Sequence, residues 1–227
     1  MIYPDAIEKL EGEGFCVKVF SNAPHLEGAI ASHVDLSLFL LKDTLFISPS
    51  LLETESAFFE ALAKEKDLKI VAVSAPPVSP YPHDVSLCLR AIGDSVMGNK
   101  AHTVKEVLEY CDINGISFIH TNQGYTACTA ISFGNAVISA DSSILKVADK
   151  SGVDTLVISQ GNVLLPPYPY GFIGGCSGVC GSTVYFNGSL DSHPDAERIR
   201  DFTERHSFSC VSLSASPLYD IGGMIFI

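Results

Sequence analysis

The stretch "SPLYDIGGMIFI", residues 216–227, decides how the rest of the chain is read. It opens as a turn, passes through Gly222-Gly223 and closes on the apolar run Met224, Ile225, Phe226 and Ile227. Elsewhere in the sequence such a hairpin continues into a helix and a further strand. Here the matching helix and strand stand at the other end. "YPDAIEKLEGEG" (residues 3–14) has Pro4 at its start and Ala6, Ile7 and Leu10 on one side, and "FCVKVFS" (residues 15–21) reads as the strand after it. Residues 216–227 and 1–22 together therefore make one complete ββαβ unit.

Four further copies follow the same order. Residues 33–74 turn at Lys42-Asp43 and carry a helix with Leu51, Phe58, Phe59 and Leu62 on one face. Residues 84–122 turn at Gly93-Asp94. Their helix shows Val104, Val107, Leu108 and Cys111 at helical spacing, a capping box at Thr103 and Glu106, and a stop at Gly115. Residues 125–159 turn at Gly134-Asn135, with Asp141 or Ser142 as helix cap and Gly152 as helix stop. Residues 172–214 place Pro194 near the first position of their helix. The expectation is a single α/β domain over residues 1–227, a five-bladed α/β propeller of ββαβ units. Its ring is closed by the two ends of the chain, so no sheet edge is left open. An ordinary sheet of βαβ units explains the helix–strand alternation but neither the recurring hairpin nor the split unit.

Composition narrows the partners. Of 227 residues 47% are hydrophobic and 18% charged, ample for a buried core. Fourteen Lys+Arg against 26 Asp+Glu give a net charge of −12, which repels a phosphate backbone, so no nucleic-acid partner is expected. No apolar run is long enough to span a bilayer and the first residues lack a signal-peptide pattern, so neither membrane nor secretion is expected. Seven cysteines then read as free thiols in a reducing cytoplasm. Their spacings match no metal pattern, so neither a metal nor a cofactor is expected.

Five ββαβ units in a ring resemble the pentein, or guanidino-group-modifying enzyme (GME), fold. Three stretches are also similar to an uncharacterised bacterial family of that fold: "NQGYTACTAISFGNAVISAD", "YGFIGGCSG" and "YDIGGMIFI". The superfamily holds deiminases, dimethylargininase and amidinotransferases. It also holds a non-catalytic initiation factor that binds the large ribosomal subunit, so the resemblance implies a fold and leaves the activity open. In the enzymes a cysteine attacks the guanidinium carbon, a histidine moves protons and carboxylates hold the cation.

That chemistry needs a thiolate, an acid–base within hydrogen-bond reach and paired carboxylates for a planar donor. The resemblance implies that residues leading into each first strand meet in a central channel. Those segments supply His33 and Asp35, His83 and Asp84, Cys128, Cys176 with Cys180, and Asp220. His33-Val34-Asp35 is similar to the His-x-Asp motif of the deiminases, and on a strand its first and third residues face one way. The plainer reading is a polar pair satisfying loop backbone. Cys176, in "GFIGGCSGVCGS", is the candidate nucleophile and His33 the candidate acid–base. Asp35, Asp84, Asp220 and His83 are candidate ligands for a small cationic substrate. Cys176 and Cys180 would share a strand face, and the plainer reading makes both core filler. One departure counts against the known chemistry: no cysteine follows Gly222-Gly223, where the superfamily nucleophile belongs. Two readings stand. One is an enzyme acting on a guanidino or related C–N compound, and the other is a non-catalytic pentein that binds a protein partner or ligand.

Overall fold

The computed structural model describes residues 2–227. Among the described residues four three-stranded sheets repeat one plan, an antiparallel hairpin followed by a helix and a parallel third strand. The first sheet is β1 (Leu38–Leu41), β2 (Thr44–Ile47) and β3 (Lys69–Ala72), and the second is β4 (Arg90–Ile92), β5 (Ser95–Gly98) and β6 (Ser117–His120). The third is β7 (Ala130–Phe133), β8 (Ala136–Ser139) and β9 (Asp154–Val157), and the fourth is β10 (Ser177–Cys180), β11 (Thr183–Phe186) and β12 (Ser209–Ser212). In register, Leu38 faces Ile47, Ala130 faces Ser139 and Ser177 faces Phe186.

All four hairpins turn through two residues, and the first of the two has positive φ: Lys42, Gly93, Gly134 and Gly181. This is the turn whose twist suits a hairpin, and glycine meets its demand without strain. Lys42 meets it with a side chain at φ 55°.

The connecting helices are α2 (Pro49–Thr54) with α3 (Ser56–Lys66), α4 (Lys105–Asn114), α6 (Ser142–Lys150) and α7 (Ala196–Arg205); α1 (Pro4–Gly12) leads the chain, and α5 (Thr126–Thr129) is one turn before β7. Asp141 caps α6 by accepting the Ser143 and Ile144 N–H groups, and Gly115 and Gly152 stop α4 and α6 with left-handed backbone. The expected capping box at α4 does not form. The Thr103 hydroxyl donates to the Asn99 carbonyl, and Glu106 accepts the Ser74 N–H of the neighbouring unit. Pro194 precedes the cap residue Asp195 rather than opening α7.

Apolar clusters join each unit to the next. Phe39 and Phe46 pack on Val96 and Val107, Ile92 and Met97 on Val137 and Ile144, and Ile131 and Phe133 on Phe186 and Phe202. Ala6 and Leu10 of α1, with Phe15 and Phe226, continue the series against Tyr185 and Leu213. Phe20 and Ile225 reach back to Leu38 and Phe59 of the first unit. The two ends therefore meet: Phe15 and Phe226 stand edge to face with ring centroids 5.1 Å apart. Residues 15–21 and 224–227 are not paired as strands in this arrangement, so side chains carry that junction rather than a ladder. Met1, which belongs to the expected split unit, lies outside the described residues.

Among the first strands, β4 packs beside β7 and β7 beside β10. The segments leading into them converge at one end. No helix among the described residues is long and apolar enough to cross a membrane.

Candidate functional site

His33 and Asp35 sit on a 3₁₀ turn, Val34–Leu36, with His33 as its cap residue. They come together, but not by strand alternation. The turn is pinned from the opposite end of the chain, where the Asp35 N–H donates to the Gly222 carbonyl at 3.1 Å. Gly222 holds φ +76°, and a Cβ there would collide with the His33 backbone. Only glycine permits both the conformation and the approach.

Asp220 is two residues away on the same segment. Its Oδ1 accepts the Gly222 N–H at 3.0 Å and its Oδ2 the Phe172 N–H at 2.9 Å. Its Oδ1 lies 3.7 Å from His33 Nε2. From a third direction α5 presents Cys128, whose thiol donates to Asp35 Oδ2 at 2.9 Å. A second thiol, Cys88, lies 3.8 Å from the sulfur of Cys128. One atom each of His33, Asp35 and Cys128 fall within 4.8 Å of one another. All three residues are nearly sealed, 3%, 5% and 2% exposed.

Burial sets the electrostatics. It pushes Asp35 up to about 7, the nearby Asp220 charge adding to the effect and the Cys128 and Arg90 contacts opposing it. It pushes Asp220 up to about 6 against two backbone N–H bonds. It pulls His33 down to about 4, so the imidazole is neutral at pH 7. The Cys128 thiol is raised by its hydrogen bond with Cys88, by burial and by the Asp35 charge. Both ring nitrogens of His33 and Asp35 Oδ1 are buried without a hydrogen-bond partner. Such atoms cost about 1–3 kcal/mol each, so the cluster is short of a donor-rich or cationic partner.

A resident cation lies behind it. Arg90, at the start of β4, donates through Nε to the Ala127 and Ala130 carbonyls and through a terminal nitrogen to those of Ala127 and Gly174. These bonds tie the second, third and fourth units together. On the other side Leu26, Ala31, Val85, Tyr125 and Phe172 cover Cys88 and Cys128 with an apolar cap.

A model of a family of unknown function (DUF6873) matches residues 1–225. The chain belongs to that family. No curated protein matches it by sequence. Among solved structures, DDAH from Pseudomonas aeruginosa complexed with citrulline superposes with TM-score 0.59 at 12% identity, over 92% of this chain and 80% of that one. An amidinotransferase from Microseira wollei superposes with TM-score 0.52 at 14% identity, over 92% and 72%. This family member therefore has the pentein fold that its sequence resembles.

The remaining candidates lie apart from the cluster's centre. Asp84 is buried with Oδ2 accepting the Tyr125 hydroxyl at 2.6 Å and Oδ1 unpartnered. His83 is exposed, its backbone engaged in the turn of the proline-rich loop. The Cys176 thiol donates to the Ile173 carbonyl at 3.2 Å and packs in an apolar cluster with Ile131 and Phe186. Burial first, then the Asp220 charge, raises its pKa. Cys180 packs instead in the cluster around α1, so the two cysteines do not share a face. The strand starts only at Ser177, and Cys176 escapes its alternation. Cys88 and Arg90 were not picked out from the sequence. Arg90 did carry a signal, a lone cation within the apolar "LCLRAI"; Cys88 carried none.

Proposed function

We propose that this protein is a closed five-unit α/β ring that binds a small guanidino or amidino cation at its centre. Asp35 and Asp220 are the carboxylates, His33 is the acid–base and Cys128 is the thiol. The observation that carries this reading is the meeting of His33, Asp35, Cys128 and Asp220 from three separate units, with buried polar atoms left unpartnered. A planar cation with several N–H donors satisfies Asp35 Oδ1 and the unprotonated His33 nitrogen and neutralises the carboxylates. It also lowers the thiol pKa by its charge, which the empty cluster does not. Asp35 is in hydrogen-bond contact with the thiol and takes its proton when sulfur adds to the guanidinium carbon. The departing nitrogen is then protonated from the His33–Asp35 pair.

Cys128 replaces Cys176 in the thiol role because its sulfur faces Asp35 and His33, whereas that of Cys176 faces a backbone carbonyl and an apolar wall. Entry requires the apolar cap to open, and residues 21–31 contribute Leu26 and Ala31 to it. That segment is held by the Ala23–Ala31 backbone bond and by paired bonds between Ser79 and residues 25 and 27.

A second reading, a non-catalytic pentein, is favoured by the raised thiol pKa and by the absence of a nucleophile in Met224–Ile227. Alkylation of each cysteine with iodoacetamide, mapped by mass spectrometry in chelator-treated protein, separates the two. Under the catalytic reading Cys128 is alkylated faster as pH rises and is protected by agmatine. An inert Cys128 with agmatine still raising Tm leaves binding without thiol chemistry. No response of Tm to agmatine, arginine or amidines removes the proposal.

A further inference from the structure

The cluster also has the make-up of a metal site, although no spacing in the sequence announces one. We propose that His33, Asp35 and Cys128 bind a divalent transition-metal ion, with Zn²⁺ the best fit. One nitrogen, one oxygen and one sulfur lie within 4.8 Å of one another, on three buried side chains from two units far apart in sequence. Neither histidine nitrogen nor Asp35 Oδ1 makes a hydrogen bond, so one imidazole lone pair and those of a carboxylate oxygen are held in place and unspent. Mixed imidazole, carboxylate and thiolate donors suit Zn²⁺ and exclude the hard, all-oxygen preferences of Mg²⁺ and Ca²⁺.

Two neighbours strengthen the assignment. Cys88 Sγ lies 3.8 Å from Cys128 Sγ. That is about the separation two thiolates keep across one tetrahedral ion with bonds of ~2.3 Å, so a fourth donor is at hand. Asp220, 3.7 Å from His33 Nε2, stands where a carboxylate can orient a metal-bound imidazole. With the three proposed ligands charge closes, the Asp35 carboxylate and the Cys128 thiolate neutralising the ion and Arg90 and Asp220 offsetting each other; a Cys88 thiolate as fourth donor brings the site to a single net negative charge. The spacing rules miss the site because its donors come from a 3₁₀ turn before β1 and a single helical turn before β7.

This inference does not rest on the organic-cation reading. The two ligands use the same side chains and exclude one another, so a bound ion blocks both agmatine binding and alkylation of Cys128.

The test titrates chelator-treated, full-length protein with Co²⁺, both by incubation and by refolding in its presence because the cluster is capped. Expected is one ion per chain with a thiolate-to-cobalt charge-transfer band, bleached by stoichiometric Zn²⁺. Cys88→Ser/Cys128→Ser should lose the band, Cys128→Ser alone should weaken it, and His33→Gln should weaken binding at least about 100-fold. Cys16→Ser, at an exposed cysteine, should change nothing. Zn²⁺ should also raise the Tm of the wild-type protein, a readout that survives if a variant fails to fold. Absence of a charge-transfer band in the wild type overturns the proposal, as does a band that is undiminished in Cys128→Ser, persists in Cys88→Ser/Cys128→Ser or disappears in Cys16→Ser. Agmatine binding in metal-free protein that takes up no Co²⁺ would overturn the metal site alone.

Discussion

Cys128 and Cys176 begin alike and end in opposite surroundings. Each is buried in the short segment leading into a first strand, β7 for one and β10 for the other. Cys128 meets a carboxylate at 2.9 Å, a second thiol at 3.8 Å and an imidazole within 4.8 Å. Cys176 meets one carbonyl and an aliphatic wall. Burial raises both thiols, so neither burial nor a shifted pKa distinguishes a site. The difference lies in the neighbours: around Cys128 there are polar groups whose bonding is unfinished, and around Cys176 there are none.

The largest expected effect is on the backbone that assembles the cluster. Gly222→Ala puts a Cβ into the His33 backbone at a left-handed position and should cost about 3 kcal/mol or more. Gly181→Ala, at a hairpin with positive φ but open space, should cost only about 1–2 kcal/mol. Urea unfolding of the two variants checks the contrast. Equal losses would mean that the meeting of Gly222 with His33 holds nothing together.

The cysteines themselves should separate stability from reactivity. Cys176→Ser places a hydroxyl against an apolar wall and should cost about 1–2 kcal/mol while leaving agmatine binding unchanged. Cys128→Ser keeps a donor to Asp35, should cost less than about 1 kcal/mol and should remove the protected alkylation site. Denaturation midpoints and peptide mapping measure both, and the reverse pattern would return the thiol role to Cys176.

The carboxylates near Cys128 should also show as a pH slope in the ligand-free, metal-free protein. Asp35 and Asp220 have folded pKa values of about 7 and about 6, above their ordinary 3.8, so the folded state keeps protons that the unfolded chain has shed. Their contribution to stability is fully present below pH 4 and is lost as pH rises through 6 to 7. His33, lowered from 6.5 to about 4, acts oppositely, because the unfolded chain binds the proton. Two carboxyls against one imidazole leave a net fall in Tm between pH 4 and 6, a plateau to 6.5 where Asp35 and His33 cancel, and a small further fall to pH 7 from Asp35. Asp35→Asn sets Asp220 against His33 and should flatten that slope. An unchanged slope would show that the carboxyl is not held protonated in the fold.

Much of this was legible beforehand because it depends on local backbone chemistry. The turns at Lys42-Asp43, Gly93-Asp94 and Gly134-Asn135 demand particular φ values, and the Asp141 cap and the Gly115 and Gly152 stops answer helix ends within a few residues. His33 and Asp35 stood out as similar to a His-x-Asp motif whose ends strand alternation would turn one way, but the segment is a 3₁₀ turn and has no such alternation. Thr103 and Glu106 read as a capping pair, but bonds to Asn99 and to Ser74 of another unit drew both away.

The sequence by itself determined the repeated ββαβ order and the complementarity of the two ends, since patterning and turn chemistry act over short spans. Which cysteine faces the carboxylates, and that Cys88 and Arg90 stand behind them, only the tertiary structure decided. Side-chain direction before a strand depends on a single turn of helix and on contacts from segments some 40 to 190 residues away, as from Cys88 to Cys128 and from Asp35 to Gly222. No local pattern encodes that direction.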